Sequence, residues 1–308
     1  MIAFVFPGQA SQAVGMGRDL VEDFPACRKT FEEADEALGF PLSRSCFEGP
    51  ADQLELTAIA QPAILTMSVA IDRILASEGI RPDVVAGHSL GEYSALVAAR
   101  SLAFRDALRL VRQRGLYMQE AVPVGQGAMA AIMGLDERMI ASICREVAGD
   151  EIVTAANLNA PGQTVLSGHV GAVDRAIDRA RERGARRAIK LKVSAPFHCS
   201  LMEAAARRLE SDLARTPFND LDVPLVSNVT AQVLRKGNEA RAALLRQVTA
   251  PVLWEKSVRT LVSMGVRRGF EVGPGEVLTG LMKRTDRSIR CIPLGTVQAV
   301  SSLLQRVS

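Results

Sequence analysis

Five cysteines are scattered through the 308 residues, at 27, 46, 144, 199 and 291, and none forms a Cys-x-x-Cys pair. That scatter argues against a zinc site and against a disulfide framework, and it fits a reducing, cytoplasmic setting. Charge of one sign is also scarce. Lys and Arg number 37 against 34 Asp and Glu, a net +3, and arginine is spread along the chain. No basic stripe for nucleic acid emerges. No run of about 18 uninterrupted apolar residues occurs, so no membrane span is expected. Met1–Phe6 is apolar but lacks a basic leader and ends at Pro7-Gly8, so it reads as a first buried strand and not as a signal peptide. Aromatics make up 4% within a hydrophobic content of 48%, a composition that suits an α/β protein and argues against disorder.

What is present is an alternation of strand and helix patterns. Residues 82–87, 223–227 and 266–272 read as strands. Gln61–Ser77 reads as an apolar helix with Pro62 in its first turn, and Phe104–Ala121 as a long amphipathic helix stopping before Pro123. Further helices are expected around 239–249, 254–264 and 276–284. The alternation predicts an α/β fold: a hydrolase-like, mostly parallel sheet with helices on both faces. The middle differs. Strands at 127–133, 151–157, 163–167 and 186–193, with helices at 136–148 and 170–183, give a βαββαβ order, the ferredoxin-like arrangement. The expected division is therefore a large subdomain from 1–125 and 194–308, with a small α+β subdomain inserted at 126–193. The five arginines between Arg179 and Arg187 read as a solvated helix face and turn, with a docking patch for an acidic partner as the alternative.

One segment carries chemistry. Val84-Val-Ala-Gly-His-Ser-Leu-Gly-Glu92 runs from a β-branched stretch through Gly-x-Ser-x-Gly into a helix-forming segment, the context of a nucleophile elbow. The glycines permit a tight turn that leaves Ser89 exposed, and the new helix aims free N–H groups at it. The bland alternative is an ordinary Gly-rich strand-to-helix turn.

A serine nucleophile needs a base, usually histidine, and only three exist. His88 adjoins Ser89, where an elbow points side chains apart. His169 sits at an expected helix start within the insertion and reads as structural. His198 remains, in the Val193–Met202 segment, where Pro196 forces an extended approach to a helix. By itself it could equally be a capping or core histidine; with Ser89 in hand it reads as the base. Cys199 beside it reads as a small packed residue.

Arg114 is out of place. On a wheel at about 100° per residue, Phe104, Ala107, Leu108, Leu110, Val111, Met118, Ala121 and Val122 share one arc. Arg105, Arg109, Arg112, Gln113 and Glu120 take the opposite one, yet Arg114 falls between Ala107 and Leu110. A buried guanidinium keeps its proton and needs an anion or a network. The partner is either an internal Asp or Glu or the carboxylate of an acidic acyl substrate, which the guanidinium fork would suit.

Together these residues resemble the malonyl-CoA:acyl-carrier-protein transacylases, the acyltransferase family of fatty-acid and polyketide synthesis, over essentially the full length. The match is carried by Phe6-Pro-Gly-Gln-Ala-Ser-Gln12, Gly87-His-Ser-Leu-Gly-Glu92, Gln113-Arg-Gly115 through Met118-Gln-Glu120, and Glu271-Val-Gly-Pro-Gly275. Asn157–Gln163 and the His198 segment add to it. The resemblance implies a malonyl ester on Ser89, made from malonyl-CoA and passed to the phosphopantetheine thiol of acyl carrier protein. It implies His198 as general base, Gln9 and Leu90 N–H groups as the oxyanion hole, Arg114 as the clamp on malonate's free carboxylate, and the Gln247 backbone carbonyl as the group steadying His198. That agrees with the want of an obvious acidic third member.

The resemblance further implies malonyl-CoA and acyl carrier protein as partners, no cofactor or metal, no nucleic acid or membrane, and a cytoplasmic monomer. Ala10 stands where the family commonly has glycine, which argues against a positive φ there, though not against the Gln9 donor. Glu276 replaces a frequent lysine, so no coenzyme or carrier role is assigned to it. Phe197 resembles the malonyl-selective form of related polyketide acyltransferases. The rival expectations are a free-standing polyketide acyltransferase, an editing acyl hydrolase, and a non-enzymatic carrier-binding subunit.

Overall fold

A computed structural model describes residues 1–193 and 195–306. Its strands are β1 (Ile2–Phe6), β2 (Val84–Gly87), β3 (Gly127–Met133), β4 (Val153–Ala160), β5 (Gln163–His169), β6 (Arg187–Lys190), β7 (Leu225–Val226), β8 (Val233–Leu234), β9 (Arg268–Glu271) and β10 (Arg290–Pro293). Five helices precede β2: α1 (Arg18–Asp23), α2 (Pro25–Leu38), α3 (Leu42–Glu48), α4 (Ala51–Glu55) and α5 (Thr57–Ser77). Then come α6 (Gly91–Ala98), α7 (Phe104–Glu120), α8 (Glu137–Ala148), α9 (Val170–Glu182) and α10 (Glu203–Arg215). The last four are α11 (Gly237–Gln247), α12 (Trp254–Ser263), α13 (Val277–Thr285) and α14 (Val297–Leu304).

The larger sheet has the order β10-β9-β1-β2-β7-β8 and is parallel except for β8. Strands buried on both faces explain the unbroken apolar runs in β1 and β2. Phe4, Phe6 and Val85 enter one core with residues of α2, α5, α7 and α10. Ala3, Val5, Val84 and Ala86 enter a second core with Trp254 and Leu261 of α12 and Leu281 of α13. Helices therefore cover both faces of a mostly parallel sheet.

The second sheet is antiparallel, in the order β4-β5-β3-β6. Ile132 and Leu166 pack on Ile140 and Ile143 of α8 and Val173 and Ile177 of α9. The other face sends Met129, Ala156 and Val165 into the first core. β4 is joined to the segment before α12 by Leu158 N–H donating to the Val252 carbonyl and Val252 N–H donating to that of Ala156, both 2.9 Å. The last strand ends at Lys190, short of the expected 193, and Ser194, where the expected division falls, lies outside the described residues.

One sequence expectation needs correction. α5 starts four residues earlier than Gln61, so Pro62 lies inside it and not in its first turn. Proline there removes the N–H that would bond the Ala58 carbonyl. Arg112 Nη1 donates to that carbonyl instead, at 2.6 Å. α5 is also long and apolar enough to span a membrane, but 89% of its apolar window is buried within the protein, as befits a core helix.

Candidate active site

β2 delivers the chain to the site between two glycines with no room for a side chain. A Cβ on Gly87 would stand 2.0 Å from Gly91 backbone atoms, and one on Gly91 would stand 2.0 Å from the Phe6 carbonyl oxygen. The turn leaves Ser89 at φ 52°, a left-handed conformation costing a residue with a side chain roughly 1–2 kcal/mol. Asn228 holds it there. Its Oδ1 accepts from the Ser89 N–H at 2.7 Å, and its Nδ2 donates to the Gly87 carbonyl at 2.5 Å.

His198, also at positive φ (60°), stands with Nε2 2.7 Å from Ser89 Oγ. Its Nδ1 lies 2.8 Å from the Gln247 main-chain oxygen. A carbonyl can only accept, so Nδ1 carries the proton and Nε2 is the lone-pair nitrogen facing the serine. Burial, and secondarily the Arg114 charge, hold the imidazole at about 3, so it is neutral at physiological pH.

The other two histidines are engaged elsewhere. His88 Nε2 bonds Asn159 Oδ1 at 2.8 Å, and its ring meets Trp254 edge-on. His169 precedes α9 and accepts the Ile152 N–H at 2.9 Å. Cys199 Sγ donates to the Pro196 carbonyl and accepts from Ser167.

Arg114 is buried with 2% exposure, on the apolar side of α7. Nη1 donates to Gln61 Oε1 (2.8 Å), and Nη2 to Gln247 Oε1 (3.0 Å) and Ser89 Oγ (3.2 Å). Nε has no partner. Among the described residues no carboxylate forms a salt bridge with it, and its acceptors are two amide oxygens and the serine hydroxyl. Tyr93 lies beneath, its ring centroid 5.6 Å from the guanidinium carbon.

Leu90 follows Ser89 directly in the chain, and Gln9, from the turn after β1, lines the same cavity wall as Ser89. Neither main-chain N–H donates to a protein acceptor among the described residues. The Gln9 side chain is tied to Thr57 Oγ1 at 3.2 Å. Ala10 departs from expectation: it adopts φ 77°. The turn after β1 needs a left-handed residue whether or not it is glycine, and the Ala10 N–H donating to Gln12 Oε1 at 2.8 Å helps to hold it.

Ser89, Arg114, Met118, Phe197 and His198 share a cavity of about 360 Å³ whose wall also includes β3, β4 and β5 residues. A larger cleft of about 750 Å³ near Asp72, Arg81 and Arg100 contains none of them.

Sequence reasoning missed Asn228, Gln61, the Gln247 side chain and Glu92. Glu92 is 1% exposed in a helix otherwise of small and apolar residues. A lone acid in such a helix is the signal that singled out Arg114, with the sign reversed. Of the five arginines from 179 to 187, three are paired with nearby acids: Arg179 with Glu146 and Glu182, Arg181 with Asp178, and Arg183 with Glu146.

A serine bonded to a neutral, carbonyl-oriented imidazole at the end of a central parallel strand defines a serine acyl-transfer enzyme. The comparisons with known proteins narrow the class. The acyl transferase domain model matches residues 3–304. Malonyl CoA-acyl carrier protein transacylase of Escherichia coli (strain K12) is 48% identical, with 98% of each chain covered. That of Bacillus subtilis (strain 168) is 47% identical, covering 99% of this chain and 96% of the relative. The Coxiella burnetii transacylase structure superposes with a TM-score of 0.97 at 44% identity, covering 99% and 97%. A malonyl-transacylase solved in complex with a type II PKS acyl-carrier protein gives 0.97 at 43% identity, covering 99% of both chains. The chain belongs to the acyl transferase domain family.

Proposed function

We propose that this chain moves the malonyl group from malonyl-CoA to the phosphopantetheine thiol of acyl carrier protein, through an ester on Ser89, in fatty-acid synthesis. The observation that carries this reading is a buried guanidinium, within 3.2 Å of the nucleophile, that no acidic side chain caps. An acidic acyl group supplies the missing anion and is thereby positioned over Ser89.

In the first half-reaction Ser89 Oγ attacks the thioester carbonyl and its proton passes to His198 Nε2. The oxyanion is held by the Gln9 and Leu90 N–H groups, each such donor being worth about 10²–10³ in rate. Collapse expels the coenzyme A thiolate, which takes the proton from His198. In the second, the carrier thiol gives its proton to His198, attacks the ester carbonyl, and Ser89 leaves with the proton returned. Gln247 O keeps the imidazole in the tautomer both steps need. No cofactor beyond the coenzyme A of the substrate takes part. Residues 126–193 act as an inserted subdomain that walls the acyl cavity, and the protein works as a cytoplasmic monomer.

Mixing the protein with malonyl-CoA and recording its intact mass tests this. A malonyl adduct that maps to Ser89 and is absent in Ser89→Ala is expected; no adduct defeats the proposal. Service to a polyketide carrier is a second reading, favoured by likeness to the relative held with a type II PKS carrier protein. Transfer rates to carriers of both pathways separate the two.

A further inference from the structure

Arg114 presents an electrostatic difficulty. A buried guanidinium touching only amide and hydroxyl oxygens is costly, because burial works against its charge while it keeps its proton. An acid nearby would relieve that cost but, in contact, would occupy the edge that the proposed substrate needs. The structure meets both demands through Gln247. On one side of its side-chain amide, Oε1 accepts from Arg114 Nη2 at 3.0 Å. On the other, Nε2 donates to Glu92 Oε2 at 2.5 Å and to the Ser89 carbonyl at 3.0 Å. The amide dipole thus runs from a carboxylate to a guanidinium, with donors meeting only acceptors. Reversing the amide would set NH₂ against the cation and oxygen against two acceptors, so this orientation is strongly preferred.

The remaining Glu92 oxygen, Oε1, accepts the Asn228 N–H at 3.2 Å. Asn228 and Gln247 are the residues that hold the Ser89 backbone, and Gln247 also orients His198. One fully buried carboxylate therefore braces both supports of the site. The neighbouring charges do not supply a rival anion: the groups near Arg114 are Tyr93, His198 and Glu92 itself.

We propose that Glu92 is the resident counter-charge of Arg114, delivered through the Gln247 amide, and that holding this carboxylate one amide away keeps the guanidinium open to an acidic acyl group. Glu92 is then a positioning and specificity-determining residue that touches no substrate. The inference rests on the clamp reading of Arg114 above.

The test is inhibition of malonyl loading by free malonate at pH 8, above the value of about 7 to which burial pushes the Glu92 carboxyl. In Glu92→Gln the guanidinium loses its counter-charge, and malonate should inhibit about tenfold more tightly than in the parent. A merely structural Glu92 would leave inhibition unchanged or weaken it, and either result overturns the proposal.

Should Glu92→Gln not fold, the exchange Glu92→Gln with Gln247→Glu conserves net charge and the Asn228 contact while placing a carboxylate directly on Arg114. Its preference for malonyl over acetyl groups should then collapse toward unity. A retained preference overturns the proposal. Arg114→Ala run in parallel separates the two levels: if it slows acetyl and malonyl transfer equally, the clamp itself fails; if it spares acetyl while malonate inhibition ignores Glu92, only the counter-charge fails.

Discussion

α7 and α9 are both amphipathic helices rich in arginine, and they use it in opposite ways. On α9, Arg179 reaches Glu182 and Arg181 reaches Asp178 at (i, i+3) spacing, with Arg179 partly and the other three side chains largely in solvent. On α7, Arg114 has Leu110, Val111, Tyr117 and Met118 at the equivalent spacings, and it is buried with amide oxygens for company. Exposed pairs are worth at most about 1 kcal/mol, whereas a buried cation must be matched or it opposes folding. Arginine marks function where neither its own helix nor its burial accounts for it.

The largest effect that would break this contrast is Arg114→Ala. Malonyl transfer should lose about 2–5 kcal/mol of transition-state binding, while acetyl transfer is spared; kcat/KM for both coenzyme A esters measures it. Arg114→Lys keeps charge but loses the fork, so malonyl transfer should fall by about tenfold, less than with alanine, in the same assay.

The pH dependence comes next. His198 is held at about 3 by burial first and Arg114 second. A base whose value is lowered stays deprotonated as pH falls, so kcat/KM for acetyl transfer should show no loss through pH 6.5 from His198. In Arg114→Ala the acid limb should move upward, remaining below 6.5 because burial persists. An unmoved limb would separate the arginine from the base electrostatically. The smallest effect belongs to α9: Arg179→Ala should cost less than about 1 kcal/mol in denaturant unfolding and leave transfer rates unchanged.

The two helices were about equally legible in sequence, because wheel position and (i, i+3) neighbours are local. α8 was placed to within a residue, and Asp136 caps it by accepting the Met139 N–H. Residues 18–55 form four helices that the sequence pattern does not announce. α1 to α5 follow Gly17, Phe24, Pro41, Pro50 and Leu56, none of which makes a side-chain cap, so the N-cap signal is missing and only Pro25 at the start of α2 and first-turn acids in α1 and α4 remain. The start of α5 is instead fixed from α7, by Gln119 accepting the Ala58 N–H and Arg112 donating to its carbonyl. Those partners lie more than fifty residues away.

The site divides in the same manner. Ser89 and Arg114 announce themselves through motif and periodicity, and His198 through elimination. Gln61, Asn228 and the Gln247 side chain are polar residues whose roles exist only once three distant segments meet.

The most direct test is the structure of the malonyl ester trapped on Ser89. The account predicts both carboxylate oxygens about 2.7–2.9 Å from Arg114 nitrogens, with the guanidinium withdrawn from Ser89 Oγ. A carboxylate turned to solvent, with Arg114 still bonded to Gln61, Gln247 and the serine oxygen, would contradict it.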